Sequence, residues 1–336
     1  MWYRGAGSIQ EALDPVDRHR ASLLRELGDV VVQALSDDDV TEIMRNPDGQ
    51  LWFDSRSRGL VRAGAEMPAV QAESLLSTVA GLLDRIVNRD HPILEAELPL
   101  DGSRIEGLLP PVVLSPIFAI RKRAARIFTF EDYVSDGILT TDQADILRGA
   151  IVDRQNLVIS GGPGSGKTTF ANAVLREMEW LAPRTERLVL IEDTYELRCP
   201  SPNHVTLHTT EEVALRDLVR AAIRLRPDRI VIGEVRGAEA LDLLKAWNTG
   251  NPGGCATVHA NNADDALTRL DQLAQEADVP TQVRLVASSV DLVVHMERYG
   301  SHRRVAQIAS VHGLSPDGEF VVEPMSEPAA KKEIPE

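Results

Sequence analysis

The residues best able to do chemistry form one run, Gly161-Gly162-Pro163-Gly164-Ser165-Gly166-Lys167-Thr168-Thr169. Its spacing fits G-x-x-x-x-G-K-[ST] from Gly161 to Thr168, a loop that wraps polyphosphate between a strand and a helix. Polyphosphate is anionic, and a helix N-terminus offers unpaired N–H groups at the positive end of its dipole. The backbone must approach phosphate closely, so Gly161, Gly164 and Gly166 leave out Cβ atoms that would clash. Gly162, Pro163, Ser165 and Thr169 complete the expected cradle. Lys167 can reach the β- and γ-phosphates and the Thr168 hydroxyl can ligand Mg²⁺, so ATP and Mg²⁺ are the expected cofactors.

Three further stretches supply candidate chemistry. Ile230-Val231-Ile232-Gly233-Glu234 reads as an apolar strand ending in a carboxylate, expected to lie beside the loop strand, with Glu234 polarising the water that attacks the γ-phosphate. Gly233 stands where a Mg²⁺-facing Asp is usual, so the metal would depend on Thr168, the nucleotide and waters. Ile191-Glu192-Asp193-Thr194-Tyr195-Glu196 places acids at the C-terminal edge of another strand. There Glu192 or Asp193 can hold a Mg²⁺-bound water, or the run is a turn or capping cluster; Glu196 reads as structural. His259, in Thr257-Val258-His259-Ala260-Asn261, can sense the γ-phosphate or hydrogen-bond the catalytic carboxylate. His204, His208, His295, His302 and His312 have no such context and read as structural.

Basic residues gather in three places: Arg104 in the Asp101-Gly102-Ser103-Arg104 turn; Arg121, Lys122, Arg123 and Arg126; and Arg216, Arg220, Arg224, Arg226 and Arg229. Most read as solvated faces and surface ion pairs. Arg104 and Arg121 are the candidates for phosphate contact, including contact supplied from a neighbouring subunit.

These residues need elements to hold them. Residues 1–19 read as a flexible arm, and residues 20–125 as an N-terminal α/β domain. That domain begins with a helix from about His19 to Leu35. Strand, turn and strand follow over Val40–Phe53 around Asn46-Pro47-Asp48-Gly49, then a helix over Pro68–Asn88. Strand-like runs cover Leu98–Leu109 and Val112–Ile120. Residues 126–138 read as a linker with some order, since Arg126-Ile127-Phe128-Thr129-Phe130 is apolar enough to pack, and Thr140 or Thr141 as the cap of a helix reaching Asp153. Over 139–322 strands (Leu157–Ser160, Leu188–Ile191, Val205–His208, Ile230–Ile232, Ala256–Val258) alternate with helices. The helices are Thr168–Leu181, Leu215–Leu225, Ala238–Trp247 and Ala263–Ala277. This predicts an α/β fold with a mostly parallel sheet covered on both faces. Strands at Val290–Met296, Arg304–Ser310 and Phe320–Val322 close the domain, and 323–336 reads as a disordered tail.

Composition bounds the function classes. A net charge of -15 argues against a general nucleic-acid-binding surface. Cys199 and Cys255 make neither a disulfide framework nor a metal-binding pattern. No apolar run is long enough to span a membrane and the N-terminus carries no signal region, so a cytoplasmic protein able to dock on a membrane complex is expected.

Together the motifs resemble the secretion and traffic ATPases of type II and type IV systems. The resemblance covers about residues 20–320. It rests on the phosphate loop, the Glu192–Glu196 acids, Arg226-Pro227-Asp228-Arg229 through Gly233-Glu234-Val235-Arg236-Gly237, and Thr249-Gly250 with Thr257–Asn261. Gly233 is the family's own pattern. The chain is most similar to the conjugative-transfer branch, the TrbB-type ATPases; pilus-retraction and tight-adherence ATPases are the alternatives, with a RecA-like DNA motor after them. The resemblance implies a RecA-like P-loop ATPase domain with a smaller α/β N-terminal domain, assembled as a homo-hexamer. It implies a place at the cytoplasmic face of the inner membrane, peripheral association with it, and secretion or conjugation complex proteins as partners. It also implies that Arg104 and Arg121 face nucleotide across a cleft or subunit boundary.

Overall fold

The computed structural model describes residues 15–55, 57–122, 127–210, 212–300, 302–326 and 329, with the backbone alone for 15–19. The chain divides into two compact units, Met1–Ala125 and Arg126–Glu336.

The first unit sets two helices, α1 (Pro15–Ser36) and α2 (Ala69–Leu82), on an antiparallel sheet. Leu23, Leu27 and Val31 recur at helical spacing and are buried with Leu75, Leu76 and Val79 of α2. Helix α1 begins inside the expected arm, whose residues 1–14 lie outside the described ones, and it is kinked at Gly28 (φ 74°, ψ 159°). The sheet runs β3 (Gly59–Glu66), β2 (Gln50–Ser55), β1 (Val40–Arg45), β6 (Ile117–Arg121), β5 (Arg104–Leu108), β4 (Ile93–Glu97). The β1–β2 turn turns on Gly49, whose φ of 86° favours glycine. Strands β3 and β4 go beyond the sequence reading. In β3, alternate residues are exposed, which leaves only a weak apolar signal. The Leu98–Leu109 run is a turn followed by β5, and α2 stops at Leu82, short of Asn88.

In the second unit six strands are parallel, in the order β9 (His204–His208), β8 (Leu188–Glu192), β10 (Arg229–Ile232), β11 (Cys255–Val258), β7 (Leu157–Gly161), β12 (Leu292–Tyr299). Antiparallel β13 (His302–Leu314) and β14 (Phe320–Pro324) extend the sheet beyond β12. The central strands are apolar on both sides, as a doubly covered parallel sheet requires. Leu157, Ile159, Leu190, Val231 and Val294 join one core, with α3 (Phe130–Ser135), α4 (Thr141–Val152) and α5 (Lys167–Leu181). Val158, Ile191, Ile230, Ile232, Val258 and Val293 join the other, with α6 (Leu215–Ala222), α7 (Glu239–Asn248), α8 (Ala263–Gln275) and α9 (Val283–Ser289).

Three expectations need correction. The loop strand β7 and the Glu234 strand β10 are not neighbours; β11 lies between them, so the segment ending in His259 separates loop from carboxylate. The expected linker contains α3, whose Thr129 cap exchanges bonds with Asp132 and whose Phe130 is fully buried and stacked on Phe170 at 5.8 Å. The apolar run packs as expected, and the burial of Phe130 makes this ordered segment part of the second core. The expected tail likewise begins inside β14, and Ala329 is buried with its carbonyl accepting from Arg304. Helix α9 was not foreseen, being only seven residues long.

Candidate nucleotide site

The loop follows β7 at the C-terminal edge of the parallel strands, where helix α5 begins. Gly164 (φ 68°) and Gly166 (φ 93°) adopt the left-handed region, and Gly166 caps α5 in that conformation. At Gly161 a Cβ would meet the Met296 carbonyl at 2.4 Å and Ser165 Oγ at 2.6 Å, so only glycine fits. Lys167 is buried, and its Nζ donates to the carbonyls of Gly161 (2.9 Å) and Gly162 (3.1 Å). Nζ also lies 3.2 Å from Nδ1 of His259.

Strand β11 brings His259 and Glu234 together. Thr257 donates its hydroxyl to the Gly233 carbonyl at 2.6 Å, and Val235 N–H donates to the Thr257 carbonyl at 2.9 Å. These bonds fasten the turn after β10 to the end of β11. His259 Nε2 then sits 2.9 Å from Glu234 Oε1. The other carboxylate oxygen accepts from Arg236 at 2.9 Å, and Arg236 also reaches Asp193 at 3.3 Å. A continuous polar chain results: Lys167, His259, Glu234, Arg236, Asp193. Burial works to raise the Glu234 carboxyl, but Arg236, then His259 and Lys167, outweigh it and hold the pKa below its ordinary value. Burial, then the Lys167 ammonium, pushes the His259 imidazole below its ordinary value against the pull of Glu234.

Thr168, Glu192, Asp193, Glu196 and Glu234 line one small pocket with Gly233 and Arg236. Glu192 is buried and serves the fold there: its Oε2 accepts from the N–H groups of Glu196 (2.9 Å) and Leu197 (2.7 Å). It also explains Gly233, because a Cβ at 233 would lie 3.1 Å from Glu192 Cβ. The side chain of Glu192 fills the place an Asp at 233 would need.

The loop fits a polyphosphate: its glycines leave room at the backbone, and a buried ammonium points at neutral carbonyls that an anion would better replace. The Ser165 hydroxyl is buried without a hydrogen-bond partner among the described residues. The Thr168 hydroxyl and the carboxylates that line its pocket suit a hard cation that keeps its waters.

The predicted arginines are scattered. Arg104 and Arg121 are cross-strand partners on β5 and β6 of the first unit, with Arg121 3.9 Å from Glu42. Arg216 and Arg220 both pair with Asp242. Arg229 is fully buried, bonded to Glu186 at 2.6 Å and to the carbonyls of Gly253 and Ile151, so it staples the core. Arg123 and Arg126 lie outside the described residues.

Three residues near the loop were not singled out from sequence. Arg236 was legible in principle, since it stands two residues from Glu234 in the Gly233–Gly237 motif. Arg298 and Arg303 left no such signal. They lie on β12 and β13, and only the sheet order brings that hairpin to the loop: Arg303 Nε donates to the Gly164 carbonyl at 3.0 Å. His295, read as structural, hydrogen-bonds Ser160 of the loop strand at 2.9 Å.

Comparison with known proteins shows what the whole chain is similar to. The chain is 48% identical over 287 residues to the conjugal transfer protein TrbB of Rhizobium radiobacter, covering 85% of this chain and 88% of that one. It is 34% identical over 319 residues to the type IV secretion system protein PtlH of Bordetella pertussis, covering 83% and 93%. The Legionella pneumophila ATPase DotB shares the fold, with a TM-score of 0.58 at 17% identity over 87% of this chain and 78% of that one. The sequence profile described as type II/IV secretion system protein matches residues 25–319, and the chain therefore belongs to the type II/IV secretion system protein family.

Proposed function

We propose that the chain is a Mg²⁺-dependent ATPase that couples hydrolysis to pilus biogenesis or substrate transfer in a type IV secretion system of the conjugative kind. The observation that carries this reading is the chain Lys167–His259–Glu234, which joins the phosphate loop to a carboxylate held ionised. An arriving polyphosphate offers Lys167 a charged acceptor in place of the Gly161 and Gly162 carbonyls. The loop glycines, Ser165 and Thr169 bind and orient the phosphates. Thr168, with Glu192 or Asp193 acting through a bound water, would hold Mg²⁺, which would supply charge neutralisation at the phosphates. Glu234 orients and polarises the attacking water, and Arg236 and His259 keep it ionised and aimed.

The conjugal transfer and type IV secretion relatives support the process named. A homo-hexamer, docking to inner-membrane complex proteins at the cytoplasmic face, and phosphate contacts by Arg104 and Arg121 belong to the same proposal. No helix among the described residues is long and apolar enough to cross a membrane. The test is complementation: in cells deleted for the gene, the wild-type gene restores conjugative transfer, and Lys167→Ala and Glu234→Gln do not. Full transfer with either variant at normal protein level would refute the coupling.

A further inference from the structure

The acids beside the loop stand on a segment with no regular structure of its own. Residues 193–203, between β8 and β9, contain neither helix nor strand, so bonds from neighbouring elements set their place. One hold comes from the strand: the buried Glu192 carboxylate accepts from the N–H groups of Glu196 and Leu197. A second is apolar, since Leu197 is buried in the core it shares with Phe170 and Val174 of α5. The third comes from the loop helix itself. Asn172 of α5 is 3% exposed and uses both ends of its amide on this segment. Its Nδ2 donates to the Glu196 carbonyl at 3.0 Å, and its Oδ1 accepts from the Arg198 N–H at 2.7 Å. Residue 196 is thus gripped on both sides, its N–H by Glu192 and its carbonyl by Asn172. Asparagine is a poor helix former, because its short amide competes for backbone bonds. Here that amide serves another segment. Asn172 stands four residues after Thr168, on the same face of α5.

We propose that Asn172 is a positioning residue for the metal ion: it fixes the acidic segment against the loop helix, so that Thr168 and Asp193 line one pocket. The inference rests on the reading of Thr168 and the pocket acids as the metal side of a nucleotide site. Asn172 does not line that pocket. What it sets is the spacing between a hydroxyl on α5 and a carboxylate just after β8. Mg²⁺ demands near-octahedral geometry at short distances, so its affinity is sensitive to that spacing. Without the amide, the Glu196 carbonyl and the Arg198 N–H each lose this bond, while the holds at Glu192 and Leu197 keep the segment folded.

The test is Mn²⁺ binding to the full chain with ADP, read by electron paramagnetic resonance, beside calorimetric ADP affinity in EDTA and thermal melting. Asn172→Ala is expected to weaken Mn²⁺ in the ADP complex about tenfold or more, the scale for losing a group that orients a metal's ligands, while ADP affinity without metal stays within about twofold of wild type. Asn172→Asp keeps an acceptor for the Arg198 N–H but no donor for the Glu196 carbonyl, and falls between the two. Unchanged Mn²⁺ affinity in folded Asn172→Ala would overturn the inference. So would an equal loss of ADP affinity with and without metal, which would make Asn172 a brace of the helix alone. If Asn172→Ala does not fold, Asn172→Asp decides by the same readings. A wild-type chain that binds ADP but holds no Mn²⁺ with it would instead defeat the metal reading itself, and the positioning role with it.

Discussion

Nζ of Lys167 lies 3.2 Å from Nδ1 of His259, and Nε2 of the same ring lies 2.9 Å from Glu234 Oε1. An ammonium is a donor only, so the tautomer that suits this contact accepts at Nδ1 and carries its hydrogen on Nε2, toward Glu234. The neutral ring thus links loop lysine to carboxylate, and the two ends of the link differ in charge.

A pH dependence follows. The His259 pKa is lowered from about 6.5, so the ring is neutral at pH 7. As pH falls through its lowered value, Nδ1 gains a proton and the Lys167 contact becomes repulsive. The rate of ATP hydrolysis is expected to show an acid limb below about pH 6.5, which His259→Asn removes. Folding stability has the same sign: the unfolded chain takes up the proton first, so this group's contribution is present above about pH 6.5 and lost below it. An unchanged acid limb in His259→Asn would assign it to another group.

The loss of one buried partner should cost the second unit heavily. Glu186 holds both Arg229 and Arg154 at 2.6 Å, and Arg229 is fully buried. Glu186→Ala leaves that guanidinium without its carboxylate and is expected to destabilise by about 3–5 kcal/mol in denaturant unfolding. A loss under about 1 kcal/mol, the scale of a surface pair, would show that the pair carries little.

A side chain at 233 presses on Glu192. A Cβ there meets Glu192 Cβ at 3.1 Å, so Gly233→Ala needs a few tenths of an ångström from a buried residue whose carboxylate braces residues 196 and 197. The expected cost is about 1–3 kcal/mol of stability, with weaker Mg²⁺-dependent nucleotide binding read by titration. Wild-type stability and binding in this variant would remove the steric explanation for the glycine.

The legible parts of the molecule were those where one local pattern carries both element and chemistry. The loop, the apolar parallel strands and the carboxylate at Glu234 announce themselves within a few residues of chain. Strand order does not. That β11 stands between β7 and β10 is a property of the sheet, and it is what makes His259 the bridge rather than a bystander. The arginines show the same limit from the other side. Arg229 looks like a surface charge in a basic run, yet it is buried because Glu186, 43 positions earlier in the chain, and two carbonyls meet it there. Phe130 was readable as apolar, but its stacking on Phe170, which turns an expected linker into core, depends on a helix that starts 37 residues later.

The central claim is that Glu234, tied to the loop through His259, activates water against a nucleotide held at Lys167. The most direct measurement is steady-state ATP hydrolysis by purified wild-type and Glu234→Gln proteins with Mg²⁺, together with nucleotide affinity for each. The account predicts Mg²⁺-dependent turnover in the wild type and a kcat at least about a hundredfold lower in Glu234→Gln, which still binds ATP. Turnover in Glu234→Gln within a few-fold of wild type would contradict it.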